Sequence, residues 1–326
     1  MMVMVRSVMV LLLAMVVTAR ADYREREDVR QFAAGFAERH NKPVQQVLDV
    51  LGQGKKQPAI LQAIARPAEK VLSWGEYRAI FIEPTRLEQG LAFWRDNRAL
   101  VERIAADYQV APEIILAIIG VETRYGRVTG SYRVIDALMT LAFDYPPRAP
   151  FFRGQLEQFL LLLDEQQLDV AGLTGSYAGA MGYGQFIAGS YRAYAADGDG
   201  DGHIDIWSNK ADALASVARY FVRHGWQAGN LVALQLARPV TDRQLLSTGL
   251  KPDRSVGQLR KAGVAVPAEL ADEAPVTLME LETAQGNEYW LGFHNFYVIS
   301  RYNHSHLYTM AVYQLSQLLR AHLDMP

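Results

Sequence analysis

Residues 112–126, PEIILAIIGVETRYG, constrain the fold more than any other stretch of this chain. Pro112 suits the first turn of a helix, where its missing N–H is not needed. Behind it Ile114, Ile115, Leu116, Ala117, Ile118 and Ile119 follow in unbroken succession, and side chains of this kind belong inside a folded body. Gly120 and Val121 then lead straight to an acid, Glu122. On a helix Glu122 continues the face of Ile118 and Ile119. A carboxyl held against apolar side chains loses hydration of its charged form, which raises its pKa and suits a general acid near neutral pH. A plainer reading stays open on these residues alone. Glu122 could be an exposed acid just past a buried helix, paired with Arg124 or Arg127, and such pairing would lower its pKa instead.

The chain has 326 residues, enough for one large domain or two to three smaller ones with an ample core. Residues 1–21 are expected to be an export signal cleaved after Ala21. Arg6 supplies the basic start, VMVLLLAMVV the apolar stretch and ARA the small-residue cleavage site. That run is shorter than a membrane-spanning helix requires, so no transmembrane anchor is expected after cleavage. Without Arg6 and Arg20, the 33 basic residues become 31 against 35 acidic ones, and no basic run occurs. A nucleic-acid partner is therefore not expected. There is no cysteine, which excludes a disulfide framework, a thiol nucleophile, a cysteine metal site and a lipid-modified cysteine after the signal. A periplasmic destination is expected.

The fold class read from the pattern is mainly α (α+β). Residues 22–105 carry helical stripes, such as Val29, Phe32, Ala33 and Phe36, punctuated by Pro43, Pro58, Pro67 and Pro84. Residues 106–230 hold the apolar helix, a Pro-rich turn (DYPPRAPF), a further amphipathic helix and a glycine-rich stretch. From 231 to 289 short apolar pieces alternate with Pro, Gly and Asp, which predicts a small β-containing domain. Residues 290–326 return to helix and complete the core. Trp74, Trp94, Trp226 and Trp290 read as packing residues.

Two stretches carry binding chemistry with a structural alternative beside it. GSYAGAMGYGQF, from Gly175 to Phe186, combines glycines that permit close backbone approach with Tyr177, Tyr183 and Phe186 as flat faces and Ser176 and Gln185 as hydrogen-bonding groups. A tight structural turn has the same composition. SRYNHSHLY groups Tyr302, Asn303 and Tyr308 at a helix start, where a cap and its packing would also explain them. A third stretch, DGDGDGHIDIWS, has the spacing of an EF-hand calcium loop. Asp197, Asp199 and Asp201 stand at its first three ligand positions, and Gly202 at the sharp turn. The main chain of His203 follows, and Asp205 stands where a water often intervenes. Ser208 replaces the usual bidentate acid, so a structural calcium of weakened affinity is expected; Asp212 is the next acid. No organic cofactor is expected. A zinc motif, a phosphate loop, a dinucleotide fingerprint and a serine nucleophile elbow are all absent from the sequence.

IIGVETRYGRVTG, YPPRAPFFRGQLEQFLLL, GSYAGAMGYGQFIAGSY and HGW, in that order, resemble the membrane-bound lytic murein transglycosylase B family across roughly residues 75–320. The resemblance implies a lysozyme-like core flanked by a helical domain and a small β domain. It implies cleavage of the MurNAc–GlcNAc β-1,4 bond of peptidoglycan glycan strands without water, leaving a 1,6-anhydro-MurNAc end. Glu122 would be the sole acid/base. Tyr77, Ser176, Tyr183, Gln185, Phe186, Tyr302, Asn303 and Tyr308 would hold saccharide, with Tyr308 close to the acid. The family also carries a calcium loop in its core. A muramidase-type hydrolase on the same fold would need a second, water-activating carboxylate; Asp136 and Asp144 are near in sequence only. A non-catalytic peptidoglycan-binding protein is the third reading, and the intact Glu122, Ser176, Gln185 and Asn303 argue against it.

Overall fold

The structure is a computed structural model that describes residues 23–65 and 72–323. The expected export segment, residues 1–21, lies outside the described residues. The chain divides into two compact units, residues 1–52 and residues 53–326. The helical region read as residues 22–105 therefore divides after Gly52. In the smaller unit α1 (Glu27–His40) packs against α2 (Val44–Leu51). Val29, Ala33 and Phe36 of the expected stripe are buried. Asn41, left-handed at φ 51°, ends α1.

The larger unit is built around α7 (Pro112–Thr123). Its residues from Glu113 to Val121 are all buried, so this helix has no solvent face and must be enclosed on every side. The enclosure comes from α5 (Pro84–Asp96), α6 (Arg98–Tyr108), α11 (Lys210–Arg223) and the C-terminal α14 (His306–Leu323). Ile115, Leu116 and Ile118 are fully inaccessible. Truncating one of them to Ala would cost about 2–5 kcal/mol. Around this centre lie α3 (Pro58–Ile64), α4 (Trp74–Phe81), α8 (Val134–Asp144), α9 (Ala149–Gln166), α10 (Ala188–Tyr194) and α13 (His294–Ser300). Trp74, Trp94 and Trp290 are buried, as packing residues should be.

Two sheets position the remaining parts. Strands β1 (Tyr132–Arg133) and β2 (Thr174–Gly175) pair antiparallel and bring the glycine-rich stretch beside the turn that follows α7. Gly130 permits this approach, because a Cβ there would lie 2.1 Å from the Gly175 carbonyl oxygen. The second sheet has the order β3-β6-β5-β4, with β3 (Ala233–Gln235), β4 (Arg254–Ser255), β5 (Pro275–Thr283) and β6 (Gly286–Gly292). Val256, Leu259, Val276, Leu278 and Leu291 form its own apolar core, with α12 (Val256–Lys261) on it. The sheet runs to Gly292, beyond residue 289, because β6 pairs with β5 through its last residue.

Candidate active site

The turn after α7 explains the sequence GVETRYG. Arg124, Tyr125 and Gly126 all have left-handed backbone, at φ 51°, 60° and 83°. Each non-glycine residue there costs about 1–2 kcal/mol. The offset comes from bonds that close the helix: Arg124 N–H donates to Gly120 O at 3.1 Å and Tyr125 N–H to Ile119 O at 3.2 Å. The Tyr125 side chain is buried and its hydroxyl wedges between two glycines. A Cβ at Gly90 or Gly120 would lie 2.3 or 2.5 Å from that oxygen. Arg86, itself buried, donates through Nη1 to the Gly120 carbonyl at 2.6 Å, placing a cation at the helix C-terminus. Burial, then the charge of Arg124, pulls the Arg86 pKa down, against Glu83.

Glu122 sits at the end of this braced helix, half-buried. The pairing expected under the plainer reading goes elsewhere, since the Arg124 guanidinium binds Glu83. Burial pushes the Glu83 carboxyl up, but the hydrogen bond and charge of Arg124, with the charge of Arg86, hold it below its usual range. Arg127 Nη1 reaches the Arg124 carbonyl. Glu122 Oε1 instead accepts a hydrogen bond from the Tyr308 hydroxyl on α14 at 2.6 Å. Burial, followed by the charge of Glu122, raises the Tyr308 pKa well above the ordinary phenol value, so Tyr308 remains a donor at neutral pH. The Tyr302 phenol is raised for the same two reasons, and its hydroxyl donates to Gly184 O at 2.6 Å.

Glu122 opens into a cleft of about 620 Å³ that Ser176, Gln185, Phe186, Tyr302 and Asn303 also line. The glycine stretch reaches it by folding on itself, with Ser176 N–H to Ala180 O at 2.8 Å and a reciprocal pair between Met181 and Phe186. Ser176 Oγ accepts from Ala178 and Ala180 N–H. Gln185 is left-handed at φ 50°, and its Nε2 donates to Thr129 O and Gly182 O. Phe186 is 3% exposed and packs on Tyr220 and Tyr302, so it supports the wall rather than offering an open face.

Three expected residues do not line this cleft, and of these Tyr308 is 3% exposed and meets it only through its hydrogen bond to Glu122. Tyr77 is 2% exposed and packs on Phe81. Tyr183 folds back onto the turn after α7, where a Cβ at Gly126 would meet its ring at 2.2 Å. The cleft also holds residues that the sequence reading missed, among them Arg148, Phe151 and Arg301. Phe151 is 40% exposed, with the Arg148 guanidinium 4.5 Å from its ring centre. The prolines on both sides of Arg148 marked a surface turn, which was the available signal. Glu122 is the only carboxylate among the described residues lining the cleft. Asp136 is 4% exposed and takes Lys55 N–H, Gln57 Nε2 and Arg133 Nη1, while Asp144 pairs with Lys56. Both are structural acids.

In the acidic loop, oxygens of Asp197, Asp199 and Asp201 lie within 4.8 Å of one another. Main-chain N–H groups of Gly200, Asp201 and Gly202 donate to Asp197, and that of Gly202 foremost lowers its pKa. His203 N–H bonds Asp201 Oδ1. The Asp205 carboxylate is turned to Trp207 N–H and to Ser208, outside the three-acid cluster. Asp212 braces the loop by accepting Gly198 and Asp205 N–H. An all-oxygen cluster of three acids fits a hard divalent cation such as calcium.

Residues 24–317 match the model of the transglycosylase SLT domain family. The chain is 41% identical over 305 residues to membrane-bound lytic murein transglycosylase B of Escherichia coli strain K12, covering 91% of this chain and 83% of that protein. Among solved structures, Escherichia coli lytic transglycosylase Slt35 in complex with calcium superposes with a TM-score of 0.82 at 41% identity, covering 93% and 95% of the two chains. Pseudomonas aeruginosa SltB3 in complex with NAG-anhNAM-pentapeptide superposes with a TM-score of 0.79 at 30% identity, covering 90% of this chain and 79% of that one.

Proposed function

The chain belongs to the transglycosylase SLT domain family, and on that premise we propose that it is a peptidoglycan lytic transglycosylase in which Glu122 is the sole acid/base. It has the mainly helical, lysozyme-like fold of its relatives. One observation carries the proposal: a single carboxyl, hydrogen-bonded by Tyr308, stands in a cleft whose other described lining residues include no acid. Ordinary glycosidases place two carboxyls about 5–9.5 Å apart, so hydrolysis lacks its second group here. The substrate supplies the missing function. Glu122 gives its proton to the glycosidic oxygen as the bond to C1 of MurNAc breaks, and the N-acetyl group stabilises C1. The same carboxylate then removes the proton of the C6 hydroxyl, whose oxygen bonds to C1 and closes the 1,6-anhydro ring. An internal nucleophile has a large effective concentration and outcompetes water.

Ser176, Gln185, Tyr302 and Asn303 hold the saccharide in this reading, and Tyr308 orients the acid. Asp197, Asp199 and Asp201 hold a structural calcium, with the main chain of His203 and, through water, Asp205; the calcium-bound relative and the cluster geometry support this. The glycan substrate bears peptides, as does the ligand of the Pseudomonas relative. The chain works in the cell envelope, exported by residues 1–21 and cleaved after Ala21. Mass spectrometry of muropeptides after digestion tests the proposal. Anhydro ends from the wild type, formed about 10²–10⁴-fold more slowly by Glu122→Gln, are expected; reducing ends from the wild type would assign hydrolysis instead.

A further inference from the structure

The chain carries a cation only two residues after its acid. Arg124 stands where α7 ends, and its side chain is long enough to fold back on a carboxyl that near. A guanidinium beside a carboxyl favours the charged form and lowers its pKa by about 1–3 pH units. That would strip a general acid of the proton it has to deliver. The Arg124 guanidinium is instead taken by Glu83, which lies 41 residues away in sequence. Glu83 is the residue at the N-terminal cap of α5, where the helix dipole favours a negative charge. Its carboxylate makes no cap hydrogen bond to that helix and is turned to Arg124, with the Thr85 side chain as a further partner. Both members of the pair are half-buried, so water screens them only in part.

The other cations of the turn and the cleft have different partners. Arg86 donates to the Gly120 and Ile80 carbonyls, and Arg127 to the Arg124 carbonyl. Arg148 lies over the Phe151 ring, and Arg301 contacts His304 Nε2. The phenols around the acid are Tyr308 on α14, Tyr220 on α11 and Tyr302 after α13. Burial raises each of them above the ordinary value, so they add no charge near neutral pH. Arg124 is therefore the cation around Glu122 whose place depends on a second carboxylate.

We propose that Glu83 is a positioning residue for the reaction: it anchors the Arg124 guanidinium away from Glu122, so that Glu122 begins each turnover protonated. This rests on the acid/base role proposed above for Glu122. Glu83 touches neither substrate nor reacting atoms and acts through Arg124 alone. Without it the guanidinium loses its anchor, and the nearest carboxylate along the chain is the catalytic one.

The test is the pH dependence of kcat/KM for release of 1,6-anhydro ends, whose alkaline limb reports the acid in the unbound enzyme. Glu83→Gln keeps the shape of the side chain and removes its charge. The limb should move to lower pH by about 1 unit. Below the limb, kcat/KM should stay within about twofold of the wild type, which also reports an intact fold. Removing the charge of Glu83 acts on Glu122 directly as well, in the same direction, so the change is repeated in an Arg124→Gln background. A direct effect would be equal in both backgrounds. Action through Arg124 predicts that Glu83→Gln there moves the limb by less than about 0.3 of a pH unit. An unmoved limb in the single variant, or equal shifts in the two backgrounds, would overturn the positioning role and leave Glu122 as the acid. A wild type that forms no anhydro ends, or a Glu122→Gln variant as active as the wild type, would instead remove the acid/base reading, and this role with it.

Discussion

Glu122 and the trio Asp197, Asp199 and Asp201 are the same chemistry under opposite conditions. Glu122 ends a helix with no solvent face, beside a turn held by Tyr125, Arg86 and two glycines that nothing larger could replace. Its geometry is supplied entirely by packing that forms with the core. The three aspartates sit on a loop where Asp199 and Asp201 are exposed, and their carboxyls are gathered by local N–H groups. In the function proposed above, the first arrangement would fix one proton-transferring group; the second concentrates negative charge that a cation would relieve. The comparison teaches that the fold can fix an acid through its core or leave its placement to local main-chain N–H groups.

The largest expected effect separates the two directly. Glu122→Gln should lower the rate of anhydromuropeptide release by about 10²–10⁴-fold, the range for losing a general acid, with little change in melting temperature. Asp199→Asn should leave turnover near the wild-type value while shrinking the gain in melting temperature on adding calcium. Comparable activity losses in both variants would break the comparison.

Calcium itself comes next. At free calcium a hundredfold above its dissociation constant, binding would stabilise the fold by about 2.7 kcal/mol. A chelator should therefore lower the melting temperature measured by calorimetry, and turnover at a temperature where the protein stays folded should not change. A loss of turnover without loss of stability would move the ion into the chemistry.

Glycines give a finer test. Gly120→Ala drives a methyl group against the Tyr125 hydroxyl and should cost about 1–3 kcal/mol in denaturant unfolding, with activity falling as the turn shifts. Gly202→Ala meets no neighbour within 4 Å and pays only for its left-handed backbone at φ 88°, about 1 kcal/mol. Equal costs would mean that the Tyr125 wedge is softer than its packing implies.

The smallest effect is a drift in stability with pH. Burial holds the His306 and His224 imidazoles below the ordinary histidine range, offset in part by main-chain carbonyl contacts; the charge of Arg301 adds to the lowering at His224. The unfolded chain then binds more protons than the fold below about pH 6.5. Their contribution is complete above that pH and is lost as the pH falls toward the folded-state values. Denaturation midpoints should decline through this window, and His224→Gln and His306→Gln should each flatten the decline.

The buried helix and its acid were legible because an apolar run without a polar face leaves little choice of environment. The acidic loop was legible because ligand spacing lies within twelve consecutive residues. Harder to read was whatever depends on distant partners. The Arg124–Glu83 pair that frees Glu122 from arginine spans 41 residues, and the Tyr125 wedge needs Gly90 from another helix. Tyr183 looked equivalent to its neighbours in a glycine-rich loop, yet the fold of that loop turns it onto Gly126. Tyr77 has the right residue type, but packing inside α4 buries it against Phe81. Arg148 and Arg301 were passed over because a charge beside a turn is ordinarily a solvated one.

The central claim is that one carboxyl serves both halves of the reaction and that no water enters the product. Digestion of peptidoglycan in water enriched in oxygen-18, followed by mass spectrometry of the new glycan ends, tests it most directly. The account predicts 1,6-anhydro ends with no heavy oxygen at C1. Reducing ends that carry the label would contradict it.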